Sequence, residues 1–544
     1  MNRKCAWVAA LGCLLVNQIR PDGWAAIPLE DFFRNSAFEE MKLSPDGTKL
    51  AVIRSSKGRQ NLAVIDLVGM TPRGGTGLTD ADVFDFHWKG DRLVFQAARD
   101  GFNTGGLYSL KDFGSKVDIL VPTLDDQTRG IVTTARLVFE VIHTLPEQPE
   151  HVLVEMLVLD QYGGGRQPRN GSVHRMNVRT GDSSLIEANP GNIVHWVADR
   201  KGDVRAAVRM QGRLAALLWR EGPAGPWQTL AQFDVTSDSI WPIKFAEDNR
   251  NLLVAAAPDD DSDGLYVFNV DQKKATTRLW DHERYELDRI YWGRLNGETV
   301  AVEFISDRRE QVFFVPDLKR ISEAIDQALP QTANLIVDWS DDRKKVLFLC
   351  EADRSAGVFY LFDRDSGRLD ELGGRSAGLK WAEMAPMKAI EFEARDGRTI
   401  PGYLTLPPGR GGTNLPFVVL PHGGPWARDY LKFSDEGQFL ASRGYAVLQV
   451  NFRGSTGYGG EFMAAGFKEW GGTIQHDITD GVRWVIAEGI ADAGRIAIMG
   501  WSFGGYSAMW GLINEPELYR CGINLAGPTD LPALLRRRSS NLPL

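Results

Sequence analysis

At 544 residues the chain is too long for one hydrophobic core, so two or more domains are expected. Its 43% hydrophobic and 24% charged content is that of an ordinary globular protein. A formal charge of −9 argues against nucleic acid or an anionic membrane as the main partner.

Residues 1–26 read as an export signal. Arg3 and Lys4 give a basic start, Cys5 to Val16 an apolar core, and Ala25-Ala26 a small-residue cleavage site. The core is too short for a stable membrane anchor, and no later hydrophobic stretch is long enough to cross a bilayer. Cleavage near Ala26 and lipid attachment at Cys13 are the alternatives, and the expected location is periplasmic or secreted. Cys350 and Cys521 then remain, both in apolar strand-like runs, so buried free thiols are expected rather than a disulfide framework.

Residues 27–384 repeat a loose unit of short strands and polar turns. Ser44-Pro45-Asp46-Gly47 is a turn followed by strands over 49–54 and 61–67. Further units start near Phe86-His87-Trp88, His195-Trp196, Ile240-Trp241, Tyr291-Trp292 and Asp338-Trp339. Trp196, Trp241, Trp292 and Trp339 are 45, 51 and 47 residues apart, a blade-like spacing. A longer unit at roughly 131–190 fills the gap, so the pattern predicts an all-β propeller of about seven blades. A pair of β-sandwiches is the alternative, disfavoured by the regular repeat. Asp259-Asp260-Asp261-Ser262-Asp263-Gly264 has the spacing of half a calcium loop, but Val270 stands where a glutamate is needed. A solvated hairpin turn is therefore expected there, and no metal site. The glycine run 162–166 precedes no helix, so phosphate binding is not expected.

Residues 385–544 change character. A hairpin turns at Asp396-Gly397, and apolar runs at 416–420, 446–450, 495–499 and 521–525 alternate with helical patterns at 433–443, 473–488 and 503–514. Buried strands alternating with helices predict a mostly parallel sheet. Within it, Gly500-Trp501-Ser502-Phe503-Gly504 joins a strand to a helix, the setting of a nucleophile elbow. Its sharp turn would lift the Ser502 hydroxyl clear of the sheet. His422-Gly423-Gly424-Pro425 follows the third strand, where a glycine loop can bring a backbone amide to a substrate oxygen. The expected oxyanion donors are the amides of Gly424 and Phe503, and no cofactor is called for.

These stretches, with Asn451-Phe452-Arg453-Gly454-Ser455-Thr456-Gly457-Tyr458-Gly459 and Gly505-Tyr506, resemble the catalytic domain of the prolyl oligopeptidase family of serine peptidases. The nearest branch is that of acylaminoacyl-peptidases and dipeptidyl-peptidase-like enzymes. The resemblance implies a propeller in front of an α/β-hydrolase domain, and cleavage of short peptides with the propeller screening out folded proteins. Residue preference at the cleaved bond and oligomeric state are not readable.

The triad of such hydrolases runs serine, then acid, then histidine. After Ser502 the sequence holds one aspartate, Asp530, and no histidine. The last histidine, His476, precedes the elbow, and His422 sits on the oxyanion side. The family's sheet has eight strands, and the strand at 521–525 would be its sixth, an uncovered apolar edge. The expectation is thus a truncated, incomplete α/β-hydrolase domain without its triad aspartate and histidine, and an inactive chain. A catalytically dead protein that binds peptides or an envelope partner is one alternative, and an esterase of the same fold is another.

Overall fold

The structure, a computed structural model, describes residues 27–99, 106–111, 116–123, 126–127, 134–160, 171–235, 239–258, 262–294 and 297–537. Residues 1–26, residues 259–261 of the acidic stretch and the glycine run 162–166 lie outside the described residues.

Seven antiparallel sheets follow one another along the chain, at 38–75, 82–121, 134–187, 193–234, 240–280, 287–313 and 333–374. Six are four-stranded meanders; the sixth has three strands and continues into helix Pro316–Ala328. A sheet buried on both faces cannot alternate apolar and polar residues, and Arg92–Ala98 accordingly has no exposed residue along its length. Between each consecutive pair of sheets lies one apolar cluster, as where Val197, Leu217 and Trp219 meet Phe245, Leu252 and Phe268. The last cluster closes the ring by packing Leu43, Leu50 and Val52 on Leu347, Leu349 and Phe359. These are the seven blades of a propeller. Among the described residues no strand is exchanged at the seam between the first and last blades. Polar ties add to the apolar contact there: the Leu43 amide donates to Asp338 Oδ2 at 2.7 Å and the Asp341 amide to the Pro45 carbonyl at 2.8 Å. The Trp196, Trp241, Trp292 and Trp339 positions all fall in the first strand of their blades.

The second layer is a six-stranded sheet. Its strands are β1 (Met387–Glu393), β2 (Thr399–Thr405), β3 (Leu415–Val419), β4 (Ala446–Val450), β5 (Ala491–Trp501) and β6 (Cys521–Leu525). Their order is β1-β2-β4-β3-β5-β6, with β1 and β2 antiparallel and β4, β3, β5 and β6 parallel. This is an α/β-hydrolase arrangement, and the propeller-plus-hydrolase fold class read from the repeats stands.

Alternation along the strands splits the core in two. Phe417, Val419, Ile496 and Ile498 face α5 (Thr473–Ala487) and α6 (Phe503–Asn514). Val418, Leu420, Val447 and Met499 face α3 (Asp435–Ser442) and α1 (Leu29–Phe33). The helix Pro316–Ala328 of the sixth blade is α2, and α4 is Gly460–Ala464. Helix α1 precedes the first blade yet packs Phe32 and Phe33 edge-on against Phe439, each at 5.8 Å. The two segments crossing between the layers run side by side, joined by the Ala37 amide donating to the Arg375 carbonyl at 2.7 Å. On the blade-six side, Arg428 donates to the Ile305 and Ser306 carbonyls at 2.9 and 2.8 Å.

Of the two thiols expected to be buried, one is. Cys350 is buried, which pushes its pKa up to about 12. Cys521 is exposed, because it opens β6, the last strand of the sheet among the described residues.

Candidate active site

Strand β5 delivers the chain to Ser502, and α6 carries it away. Ser502 itself holds φ +55° and ψ −117°, a left-handed turn that a non-glycine residue rarely takes. The turn is held on both sides, by the Ser502 amide donating to the Leu525 carbonyl at 2.9 Å and the Tyr506 amide donating to the Ser502 carbonyl at 3.1 Å. It is also too tight for side chains at its flanks. A Cβ on Gly500 would sit 2.5 Å from the Gly504 carbonyl carbon, and one on Gly504 would overlap the Pro421 carbonyl oxygen.

The glycine loop after β3 lies against this turn. A Cβ on Gly423 would come 3.2 Å from the Trp501 carbonyl oxygen and 3.5 Å from Ser502 Cβ. Ser502, Phe503 and Gly424 are thus brought to one place from two strand ends. Phe503 opens α6, so its amide is one of the donors a helix N-terminus leaves unsatisfied, at the positive end of the dipole. Among the described residues neither the Phe503 amide nor the Gly424 amide has a protein acceptor. The Phe503 ring is buried among Trp470, Phe452 and Tyr506, with centroids at 4.6, 5.3 and 5.7 Å, which fixes where its amide points.

The other candidates are placed elsewhere. His476 on α5 packs edge-on against Trp510 at 6.1 Å. Asp530 caps the helix Leu531–Arg537 (α7), accepting from the Ala533 amide at 2.9 Å. His422 is held at both ring nitrogens, Nδ1 2.8 Å from the Gly423 carbonyl oxygen and Nε2 2.9 Å from Ser455 Oγ. Burial moves its pKa down from the ordinary value, favouring the neutral ring. Among the described residues no imidazole or carboxylate is hydrogen-bonded to the Ser502 hydroxyl. The Ser455 contact had no signal in the sequence, since nothing in residue spacing pairs a loop after β3 with one after β4. Among the described residues no group of three or more histidine, cysteine or carboxylate side chains could hold a metal ion.

The comparisons with known proteins follow the same geometry. Residues 431–540, which include the elbow, match the prolyl oligopeptidase family. The α/β domain is thus similar to that family. Along its length the chain is 28% identical over 526 residues to dipeptidyl aminopeptidase BIII of Pseudoxanthomonas mexicana, covering 94% of this chain and 73% of that one. It is 36% identical over 198 residues to the human acylamino-acid-releasing enzyme, covering 35% of this chain and 26% of that one. The crystal structure of puromycin hydrolase superposes with a TM-score of 0.69 at 19% identity, over 94% of this chain and 81% of that one. The family resemblance therefore extends from the elbow to the propeller-plus-hydrolase architecture. No helix among the described residues is long and apolar enough to cross a membrane.

Proposed function

We propose that this protein is a serine peptidase that cleaves short peptides through an acyl-enzyme on Ser502. The observation that carries the reading is the strained Ser502 at the β5–α6 turn, with the glycine loop pressed against it and two amides left without acceptors. The Ser502 oxygen attacks the scissile carbonyl carbon, the carbonyl oxygen becomes an oxyanion, and the Gly424 and Phe503 amides donate to it. The amine leaves with a proton, and water then releases the acyl group. Each such donor contributes roughly 3–4 kcal/mol to the transition state.

The base and its carboxylate partner are not among the described residues around Ser502. The chain covers 73% of the Pseudoxanthomonas enzyme. Among the described residues the site holds the nucleophile and the oxyanion donors without a base, and a serine nucleophile without its base turns substrate over about a million-fold more slowly. The leader-like residues 1–26 further support export to the periplasm or medium.

The test is hydrolysis of dipeptidyl and N-acyl-aminoacyl anilides by protein from its own cells, with S502A as the baseline. Serine-dependent release of the anilide is expected. Equal rates in the two proteins would sink the proposal, and cleavage of esters without anilides would favour an esterase.

A further inference from the structure

Where the two crossing segments pass between the layers, they leave a cleft of about 250 Å³ against the first blade. Three guanidiniums line it. Arg34 follows α1, Arg54 stands on the blade's second strand, and Arg375 lies on the segment returning from the last blade. Ser55 and Ser376 add hydroxyls, and Asp31 is the one carboxylate among the described lining residues. The walls are pinned by backbone. The Ser55 amide donates to the Ala37 carbonyl at 3.2 Å, and the Arg375 amide to the Gly357 carbonyl at 2.8 Å. Asn35 Nδ2 and Gln60 Nε2 tie the outgoing segment to the same blade, donating to the Gly58 and Ser36 carbonyls at 3.1 and 3.3 Å.

The charged donors here are only partly used. Arg375 Nη2 donates to the Glu39 carbonyl at 3.1 Å, and Nη1 stands 3.9 Å from Glu351. Its Nε is shielded from solvent and has no acceptor. A buried N–H of a charged group is costly in that condition, and an acceptor in the cleft would relieve it. Arg54 is exposed and pairs with no carboxylate among the described residues. Asp31 is already held by Arg34 Nη2 at 2.9 Å, so it offsets one guanidinium and leaves the other two. A single carboxylate is satisfied by one planar fork. Guanidiniums arriving from separate stretches of chain suit a group with more oxygens and more charge, which is the chemistry of a phosphate.

We propose that this cleft binds a phosphate group, as inorganic phosphate or a small phosphate ester, with Arg54 and Arg375 as its charged donors. Such a ligand joins the first blade to the segment that returns from the last one. Its binding therefore stiffens the passage between the propeller and the hydrolase sheet. None of the lining residues belongs to the Ser502 site, so the proposal stands apart from the peptidase reading.

The test is calorimetric titration of the full chain with sodium phosphate at about pH 8, where the group is doubly charged, at ionic strength held constant with sodium chloride. Saturable binding at one site is expected, weakened roughly tenfold in R54Q and in R375Q. D31N removes the competing carboxylate and frees Arg34, so it should bind about threefold more tightly. Because Arg54 is exposed and unpaired, R54Q carries the test if R375Q fails to fold. Equal affinity in wild type and R54Q, or weaker binding in D31N, overturns the proposal. Glycerol phosphate separates the two sources: tighter binding than inorganic phosphate assigns the cleft to an ester, and weaker binding assigns it to the free ion. No saturable binding of either overturns the proposal. Hydrogen exchange then locates the ligand. Phosphate should slow exchange in peptides covering 34–38 and 375–377, and slowing confined to other segments overturns the assignment.

Discussion

Ser502 keeps a backbone conformation that costs a non-glycine residue roughly 1–3 kcal/mol, and the surrounding structure holds it there. The hydrogen bond to the Leu525 carbonyl, the packing of Gly500 on Gly504 and the start of α6 each over-determine the turn. Replacing Ser502 by glycine removes the strain together with the hydroxyl. S502G is therefore expected to raise folding stability by about 1 kcal/mol while ending turnover, read as a higher urea midpoint beside a dead anilide assay. A lowered midpoint would show that the turn is not strained in the way described. The same strain explains what was legible at this scale. Gly-x-Ser-x-Gly between an apolar run and a helical pattern announces the elbow, because only glycine fits at Gly500 and Gly504. The clamp on His422 was not legible, since it depends on where two loop ends meet in space.

Among the elements, the loop Asn451–Gly454 after β4 is tied to helix α5 by a buried ion pair. Arg453 donates from Nε and Nη2 to the Asp477 carboxylate at 2.8 and 2.7 Å, and its backbone amide adds a third bond at 2.9 Å. Asp477 is fully buried, and burial pushes its pKa up against the pull of Arg453. Removing one partner of such a pair leaves the other charge stranded, so D477A should lower the stability of the α/β layer by about 3 kcal/mol. An unchanged urea midpoint would contradict this. Element identity was mostly readable. The apolar run at 416–420 became β3 (Leu415–Val419), the helical pattern at 473–488 became α5 (Thr473–Ala487), and the tryptophan-bearing starts became first strands of blades. Helix α1 was missed because five residues give too short a period, and its core, Phe439, lies in the other layer. Strand β5 starts at Ala491, earlier than the apolar run shows, because Ala491 pairs with Leu415 across a register shift. The exposure of Cys521 was misread for a related reason, as an apolar run does not say which strand stands last in the sheet.

Across the whole molecule, the propeller is a ring of seven like contacts, so its stability depends on each blade meeting the next. Lys244 makes one of these contacts, from the first strand of blade five to blade six. Its ammonium donates to the Gly297 carbonyl at 3.0 Å and lies 4.0 Å from the Trp292 ring centroid. Burial, with nearby Arg200, lowers its pKa from 10.5 to about 8. Unfolded lysine keeps its proton through that interval, so the folded chain binds fewer protons than the unfolded chain above pH ~8. Lys244 thus costs stability below its folded pKa, and the cost fades as pH rises toward ~10. Thermal unfolding of wild type and K244M at about pH 7 and about pH 9.5 should show wild type gaining on the variant as pH rises. Parallel pH profiles would contradict the assignment. The architecture of propeller and hydrolase sheet frames one central claim, that Ser502 is the nucleophile. The direct measurement is mass spectrometry of the protein from its own cells after treatment with a fluorophosphonate, with anilide hydrolysis followed alongside. The expected result is one adduct on the peptide bearing Ser502, accumulating as hydrolysis is lost. Hydrolysis that continues with Ser502 fully modified, or an unmodified Ser502 in protein from its own cells, would contradict that assignment.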